Sequence, residues 1–298
     1  MNQAIRGVVQ TGGLSFHFDE AGSGPDVALF LHGFPESRHS WRRQLPHLAS
    51  LGWRAVAFDQ RGYGDSSRPR GVAAYDIRHL VSDVADMFDA LEARRRILIA
   101  HDWGGAVAWA FAVNEVRPLD ALIVLNMPHP DIFLRALRTD VRQILRSWYI
   151  GFFQIPLIPE LLLTAGGAKA VEQAFTSMAV HPDAFSKEDL DHYRVNALKP
   201  GAMTAMINWY RAAARTGLDF RSEGAPLAIH TPTLLIWGEA DTALGLPLPE
   251  GYERYVTDFT LKRLPGVSHW VQQEAPDEVN HHIEAFMRQK GLILPAPP

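Results

Sequence analysis

The sequence predicts an α/β fold: a mostly parallel, doubly wound sheet with an inserted helical segment that would form a cap. The first observation is a set of five continuous apolar runs, at residues 27–31, 55–58, 97–100, 121–125 and 233–237. Continuous apolar runs are typical of parallel strands buried on both faces, whereas a half-exposed strand alternates. The second is a helical pattern between the runs, and the third is a strand-free stretch from about 130 to 228. Alternating strands and helices indicate a doubly wound sheet.

The helical patterns and the strand-free stretch set the predicted domain limits. Residues 76–91 place apolar side chains every three or four positions, as an amphipathic helix does. A last helix is expected to begin at Pro276, where the missing amide proton is tolerated. We therefore divide the chain into a core of residues 1–129 and 229–298 and a helical cap of residues 130–228.

Composition and charge indicate which binding partners and which cellular location to expect. The 298 residues carry a formal net charge of −4 and no basic tract, so a nucleic acid partner is not expected. There is no cysteine, which excludes disulfides and thiolate metal sites and suits a cytoplasmic location, the one we expect. The first residues lack the apolar stretch of a signal peptide. No segment approaches the roughly 20 apolar residues that span a bilayer, so no membrane insertion is expected. A monomer and a homodimer both stay open.

A polar or glycine-rich cluster follows each apolar run directly. The clusters are His32-Gly33-Phe34-Pro35, Asp59-Gln60-Arg61-Gly62-Tyr63-Gly64, His101-Asp102-Trp103-Gly104-Gly105, Asn126-Met127-Pro128-His129 and Gly238-Glu239-Ala240-Asp241. In open parallel sheets, ligands bind at the carboxyl ends of the strands. We therefore expect these clusters to converge on one crevice beneath the cap.

The segment around Asp102 is the most informative of these clusters. Residues 100–104 have the small-x-nucleophile-x-Gly pattern of a strand-to-helix elbow, with aspartate where esterases carry serine. Small residues on both sides allow a tight turn that lifts the central side chain into the crevice. The alternative is that Asp102 only caps the helix that begins at Trp103, a common use of aspartate.

Two further residues follow Asp102 in the order nucleophile, acid, base that elbow-type hydrolases use. Asp241 lies in a Gly-x-x-Asp turn after the run at 233–237, and His269 follows a candidate strand at 260–264. Taken alone, Asp241 could be a turn residue and His269 an ordinary one among 13 histidines. Their order, and their positions just beyond strands, favour a triad with Asp102.

Taken together, these motifs resemble the epoxide hydrolase branch of the α/β-hydrolase superfamily over residues 12 to 286. The resemblance is carried by His32-Gly33-Phe34-Pro35-Glu36-Ser37, Asp59-x-Arg61-Gly62-Tyr63-Gly64-Asp65-Ser66-Ser67, His101-Asp102-Trp103-Gly104-Gly105, Phe153-Gln154, Asn208-Trp209-Tyr210-Arg211, Gly238-x-x-Asp241 and Ser268-His269-Trp270. It implies a cis peptide bond before Pro35 and two cap tyrosines that bind an epoxide oxygen. Tyr149, by its spacing from Phe153-Gln154, and Tyr210 match these two positions, whereas the third cap tyrosine, Tyr193, does not. The alternative for each is an aromatic ring that only packs between helices.

The resemblance implies a two-step hydrolysis of a small-molecule epoxide. Asp102 would attack a ring carbon directly, because a carboxylate needs no prior deprotonation. His269, oriented by Asp241, would then activate water against the resulting ester. The oxyanion would rest on the backbone amides of Phe34 and Trp103. No metal or organic cofactor is needed, and clustered metal-ligand spacings are missing from the sequence.

Two other functions fit part of this pattern. A haloalkane or haloacid dehalogenase uses the same triad but needs donors for a departing halide. The position after His32-Gly33 holds Phe34 and not an asparagine, whose amide could donate to the halide. The indole of Trp103 could still donate, so a dehalogenase stays possible. A non-catalytic ligand receptor could retain the hydrolase fold, because fold does not determine function. The complete triad speaks against it.

Several charged residues are expected to have structural roles only. Asp59, Arg61 and Asp65 are predicted to form one charge network behind the crevice, and Arg211 is predicted to lie at the surface of the cap.

Overall fold

A computed structural model describes residues 5–217, 221–222, 224–225, 228–246 and 248–293. Its centre is an eight-stranded sheet with the strand order β1-β2-β4-β3-β5-β6-β7-β8. The strands are β1 (Ile5–Thr11), β2 (Leu14–Ala21), β3 (Asp26–Leu31), β4 (Arg54–Phe58), β5 (Arg95–His101), β6 (Ala121–Leu125), β7 (Thr233–Gly238) and β8 (Phe259–Leu264). The six strands from β3 to β8 pair in parallel. The predicted α/β fold is confirmed.

The hairpin of β1 and β2 has no counterpart among the predicted strands. It pairs antiparallel, and β2 joins the sheet antiparallel to β4. Along β2, buried side chains such as Phe16 and Phe18 alternate with partly exposed ones. A strand covered on one face only produces no continuous apolar run, so the criterion that found the central strands misses it.

Helices cover both faces of the sheet. In chain order, the α-helices of the described residues are α1 (Gln44–Ser50), α2 (Ile77–Ala90), α3 (Trp103–Val113), α4 (Pro130–Thr139), α5 (Val141–Arg146), α6 (Trp148–Phe152), α7 (Ile158–Met178), α8 (Lys187–Leu198), α9 (Ala202–Thr216), α10 (Val271–Glu274) and α11 (Pro276–Gln289). Alternate residues of β3 pack into the two hydrophobic cores on opposite faces of the sheet. Leu29 packs in the cluster that includes α2 and α3, and Phe30 in the cluster that includes α1 and α11.

Six helices, α4 to α9, lie between β6 and β7 and interrupt the sheet pattern. The longest of them, α7, is broken at residues 165–168, where four consecutive residues leave helical geometry. In the part of the chain that the structure describes, no helix has the length and apolar character needed to cross a membrane. Residues 1–4 and 294–298 of the predicted core lie outside the described residues.

The prediction that Asp59, Arg61 and Asp65 form one charge network is wrong. Arg38, not Arg61, is the cation shared by Asp59 and Asp65, and Arg61 instead forms a buried ion pair with Asp83 on α2. The three predicted partners therefore belong to two separate networks. Sequence proximity suggested one network, but the turn after β4 points Arg61 away from its neighbours.

A second prediction, that Arg211 lies at the cap surface, is also wrong. Arg211 is 9% exposed. It pairs with Glu160 and donates to the backbone oxygens of Phe153 and Ile155. The guanidinium therefore joins α9 to the segment between α6 and α7.

Candidate active site

Asp102 stands at the turn between β5 and α3, as the elbow pattern predicts. Its φ is 50°, which is strained for a residue with a side chain. Its carboxylate forms no capping bond with α3, so the capping alternative is wrong. A Cβ on Gly104 would come within 2.6 Å of the backbone oxygens of Leu31 and His32, and one on Gly33 would collide with Asp102 itself. Glycine at both positions therefore lets the turn pack closely against the end of β3.

The structure brings the three predicted triad residues together. His269 Nδ1 lies 2.7 Å from Asp241 Oδ2, and His269 Nε2 lies 3.5 Å from Asp102 Oδ2. The imidazole thus bridges two carboxylates. It is held from the loop after β8, while Asp241 is held from the loop after β7.

Asn126 also contacts this group, although its individual position was not predicted as part of the site. Its side-chain amide donates to Asp241 Oδ2 at 2.7 Å and accepts from the amide of Gly238 at 2.8 Å. The other carboxylate oxygen, Oδ1, accepts the backbone amides of Ala243 and Leu244. Asp241 is therefore fixed by four donors, His269 included. The only signal in the sequence was that Asn126 directly follows β6.

Burial and mutual charge set the protonation of the triad. Burial alone would raise the pKa of Asp102, but the hydrogen bond and charge of His269 outweigh it and hold that pKa below its ordinary value. The same balance, with Asn126 contributing, lowers the pKa of Asp241. Burial would lower the pKa of His269, but the charge of Asp241 and the hydrogen bond to Asp102 raise it well above 6.5. The arrangement favours an imidazolium between two carboxylates.

One backbone amide, that of Phe34, contacts the carboxylate of Asp102, and the amide of Trp103 lies at the start of the helix that follows it. The amide of Phe34 donates to Asp102 Oδ1 at 2.8 Å, and the Phe34–Pro35 peptide bond is cis. Trp103 is the first residue of α3, so its amide is one of those that have no acceptor within the helix. Positive helix-dipole charge at this end favours a developing oxyanion.

A buried pair behind the site connects its two loops. Glu36 and His101 are fully buried, and His101 Nδ1 lies 2.8 Å from Glu36 Oε2. The other ring nitrogen of His101 bonds to the backbone oxygen of His269 at 2.8 Å. Glu36 also accepts from the Gly33 amide and from the side chains of Gln272 and Gln273. The pair therefore links the Phe34 loop to the loop that carries the histidine.

Tyr149 on α6 and Tyr210 on α9 meet opposite Asp102. Their ring centroids are 5.9 Å apart, and both rings line the same cavities as Asp102. Burial and then the nearby Asp102 carboxylate raise the pKa of each phenol well above 10, so both stay protonated. Tyr193 lies elsewhere: its hydroxyl donates to Gln273, and its ring stacks on Phe175.

Two cavities open on either side of these residues. The larger, about 390 Å³, is lined by His269, Trp270 and Phe34 and also by Arg146 and Trp148. The smaller, about 80 Å³, has mostly apolar walls; the residues that line it beyond the shared site are Trp103, Ala106, Met127, Pro130, Phe133, Ile150, Ala213, Ala214 and Leu244. Asp102, Tyr149 and Tyr210 line both cavities, so the carboxylate lies where they meet. Within the described ranges, no group of three or more His, Asp or Glu side chains is arranged to hold a metal ion.

The fold and the elbow define a hydrolase of the α/β class, and the comparisons with known proteins agree. The family model described as alpha/beta hydrolase fold matches residues 27–276. Over 291 residues the chain is 38% identical to Epoxide hydrolase 4 of Mus musculus, covering 95% of this chain and 79% of that protein. It is 36% identical to the AB hydrolase superfamily protein YfhM of Bacillus subtilis, covering 95% and 97%. The chain belongs to the epoxide hydrolase family.

Solved structures agree with this assignment. An epoxide hydrolase from Bacillus megaterium, crystallised with an inhibitor, superimposes with a TM-score of 0.86 at 30% identity, over 95% of this chain and all of that one. The epoxide hydrolase VrEH1 from Vigna radiata gives 0.85 at 28% identity, over 97% and 99%. The resemblance predicted from the motifs is confirmed.

Proposed function

We propose that this enzyme converts epoxides to vicinal diols through an ester on Asp102. The observation that carries the proposal is the position of that carboxylate. It contacts the amide of Phe34 on one side and His269 on the other, and it faces Tyr149 and Tyr210 across a cavity. A nucleophile, a base and two acid donors are thus within reach of one small ring.

In the first step, Asp102 attacks an epoxide carbon. The new carbon–oxygen bond forms as the ring bond breaks, and the ring oxygen leaves as an alkoxide. The low pKa of Asp102 keeps the nucleophile ionised. Tyr149 and Tyr210, kept protonated by burial, hydrogen-bond the oxygen and supply its proton.

In the second step, water attacks the carbonyl carbon of the ester and gives one proton to His269. The bond between that carbon and the diol oxygen then breaks, the second proton of the water passes to the diol oxygen, and the diol and the Asp102 carboxylate are released. The proton that the imidazolium loses before this attack restores the phenol that gave its proton in the first step. Ester formation removes the negative charge of Asp102, and with it one of the two carboxylates that raise the pKa of His269. The imidazole therefore loses its proton more readily in the intermediate and can act as general base, oriented by Asp241. The amides of Phe34 and Trp103 stabilise the oxyanion, contacts worth about 3 to 4 kcal/mol each in related acyl chemistry.

The surroundings of the site support further parts of the proposal. The helices between β6 and β7 supply both tyrosines, so we assign residues 130–228 to a cap over a core of residues 1–129 and 229–298. The substrates are a small-molecule epoxide and water. We expect a cytoplasmic enzyme, given the absence of cysteine, that acts as a monomer or homodimer.

The test is a single-turnover reaction of the His269→Ala variant with styrene oxide and a small panel of other epoxides. Without its base the enzyme is expected to stop at the ester, so intact mass and peptide mapping should find one substrate mass on Asp102. His281→Ala, which changes an exposed histidine outside the site, is the matched control and should not accumulate the adduct.

The other outcomes distinguish the rival functions. Labelling of Asp102 by brominated alkanes, with none by any epoxide, would assign the enzyme as a dehalogenase. If a folded variant were labelled by neither class of compound, the chain would be a receptor without catalysis, and the proposal would be wrong.

A further inference from the structure

The surface of the inserted helices is unusually apolar over one stretch of chain. Among the described residues, nine of the fifteen large apolar side chains that are exposed come from residues 141–162. They are Val141, Ile144, Leu145, Trp148, Ile155, Leu157, Ile158, Leu161 and Leu162. Single exposed apolar residues are ordinary, but such a concentration indicates an interaction surface.

The geometry of α5 and α6 explains why the first four of these side chains are grouped. Gln143 and Ser147, four positions apart, are buried and bonded to each other, so this face of the turn packs inward. Val141, Leu145 and Trp148 follow the spacing i, i+4, i+7 and are 68, 68 and 67% exposed. We call Val141, Ile144, Leu145 and Trp148 the docking face.

The charges around the docking face are basic and unpaired. Four exposed arginines, Arg135, Arg138, Arg142 and Arg146, lie on α4 and α5, and none forms an ion pair with any described residue. The acidic side chain between them, Asp140, caps the amide of Arg142. This surface is therefore positive, although the whole chain has a net charge of −4.

We propose that the docking face binds the surface of an anionic lipid bilayer. Exposed tryptophan and leucine on a short helical segment flanked by arginines match the composition of interfacial helices, which bury their apolar side at the level of the headgroups. Arginines near an anionic surface add electrostatic attraction that salt screens. Such peripheral contact differs from spanning the bilayer.

A second copy of the chain fits this surface less well. A two-fold interface pairs the same patch on both subunits, so a symmetric dimer through the docking face would bring two sets of four unpaired arginines together. An anionic surface complements those charges instead.

One residue of the docking face, Trp148, also lines the larger cavity. Trp148 and the neighbouring Arg146 are exposed, and Asp102 lines the same cavity. Docking would open the cavity onto the bilayer, where apolar epoxides concentrate. This last consequence rests on the proposed function, whereas the docking itself does not.

The experiment is a flotation assay with the full chain. Vesicles of pure phosphatidylcholine are compared with vesicles of phosphatidylcholine mixed with phosphatidylglycerol, at low and high salt. The protein is expected to float with the anionic vesicles, and less so at high salt. The double variant Val141→Ser/Leu145→Ser should bind them about tenfold more weakly or worse, and Arg138→Gln/Arg142→Gln likewise.

Matched variants and a second readout make the result decisive. Val195→Ser/Leu198→Ser changes two exposed apolar residues on α8, and Arg43→Gln/Arg70→Gln changes two exposed arginines outside the inserted helices. Both should bind as the unchanged chain does. Hydrolysis of a small water-soluble epoxide should be equal in all variants, which separates loss of docking from loss of the active site.

Three outcomes would overturn the proposal: no flotation with anionic vesicles, equal flotation of the docking-face variants, or a dimer in sedimentation that Val141→Ser/Leu145→Ser converts to a monomer. The third would assign the docking face to contacts between copies of the chain.

Discussion

At the scale of single residues, the protonation of His269 depends on a carboxylate that the reaction itself would neutralise. Asp241 and Asp102 both raise the pKa of the imidazole, but only Asp102 would lose its charge in the proposed ester. The timing of base catalysis therefore follows from the chemistry of the nucleophile, and no conformational change is required.

This coupling predicts the effect of Asp102→Ala on its neighbour. Removing the carboxylate should lower the pKa of His269, because Asp241 alone then stabilises the imidazolium. A pH titration of the histidine signals by NMR measures it. Asp183→Ala, an exposed aspartate elsewhere, should leave that pKa unchanged. An unaltered His269 pKa in Asp102→Ala would contradict the coupling.

Asn126 provides a second test at this scale. Asn126→Ala removes the donor to Asp241 Oδ2, and hydrogen bonds to charged groups contribute about 1.5 to 3 kcal/mol. Hydrolysis of the ester is expected to slow about 10- to 100-fold, with a smaller effect on its formation. Stopped-flow measurement of the two steps separates them. Asn196→Ala, a buried asparagine on α8, should affect neither, and an equal effect on both steps would count against a role through Asp241.

At the scale of elements, the position of the two tyrosines depends on one arginine. Arg211 follows Tyr210 on α9, and its guanidinium holds the backbone oxygens of Phe153 and Ile155, just beyond α6. Glu160 at the start of α7 neutralises its charge. This arrangement fixes α6, and with it Tyr149, relative to α9.

Replacing that arginine should therefore affect both stability and the first chemical step. Arg211→Met leaves Glu160 without a partner, and breaking a buried pair costs about 3 to 5 kcal/mol. Formation of the ester should slow because the tyrosines lose their alignment. Chemical denaturation and single-turnover kinetics measure the two effects. Arg215→Met, one turn further along α9 and exposed, should leave stability and the rate of ester formation nearly unchanged. Equal losses of stability and rate in both variants would show that helix propensity, not the contacts of Arg211, is responsible.

Elements and site residues differ in how far the sequence predicts them. The central parallel strands and the order of Asp102, Asp241 and His269 were predictable, because burial on both faces and position after a strand are properties of local sequence. The β1–β2 hairpin was not, since a strand covered on one face produces no continuous apolar run. The contacts of Asn126 and Arg211 were not predicted, because they depend on strand neighbours and on helix packing, which a single sequence does not specify.

At the scale of the whole molecule, the contact between the inserted helices and the sheet domain contains histidines kept neutral by burial. His192 on α8 bonds to Ser37 and packs against the ring of His39. Burial, followed by the charge of His39, lowers the pKa of His192 to about 4. Protonation of His192 therefore opposes this contact.

The sign of the pH effect follows from that lowered value. Between about pH 6.5 and about pH 4, the unfolded chain binds a proton at His192 and the folded chain does not, so stability is present above this window and is lost as the pH falls through it. Urea denaturation at several pH values measures it. His192→Asn should flatten the dependence, whereas His181→Asn, an exposed histidine, should not. A pH dependence unchanged by His192→Asn would contradict the assignment.

The unequal cavities beside Asp102 have a consequence for chirality. Their volumes are about 390 and about 80 Å³, so an oxirane with one bulky and one small arm fits one way round. Its mirror image, held by the same bulky arm, must offer a different face of the ring to the nucleophile. In a racemic mixture, one enantiomer would then react faster than the other. Met127 and Leu244, which line the narrow side, are the residues whose shortening should erode that preference.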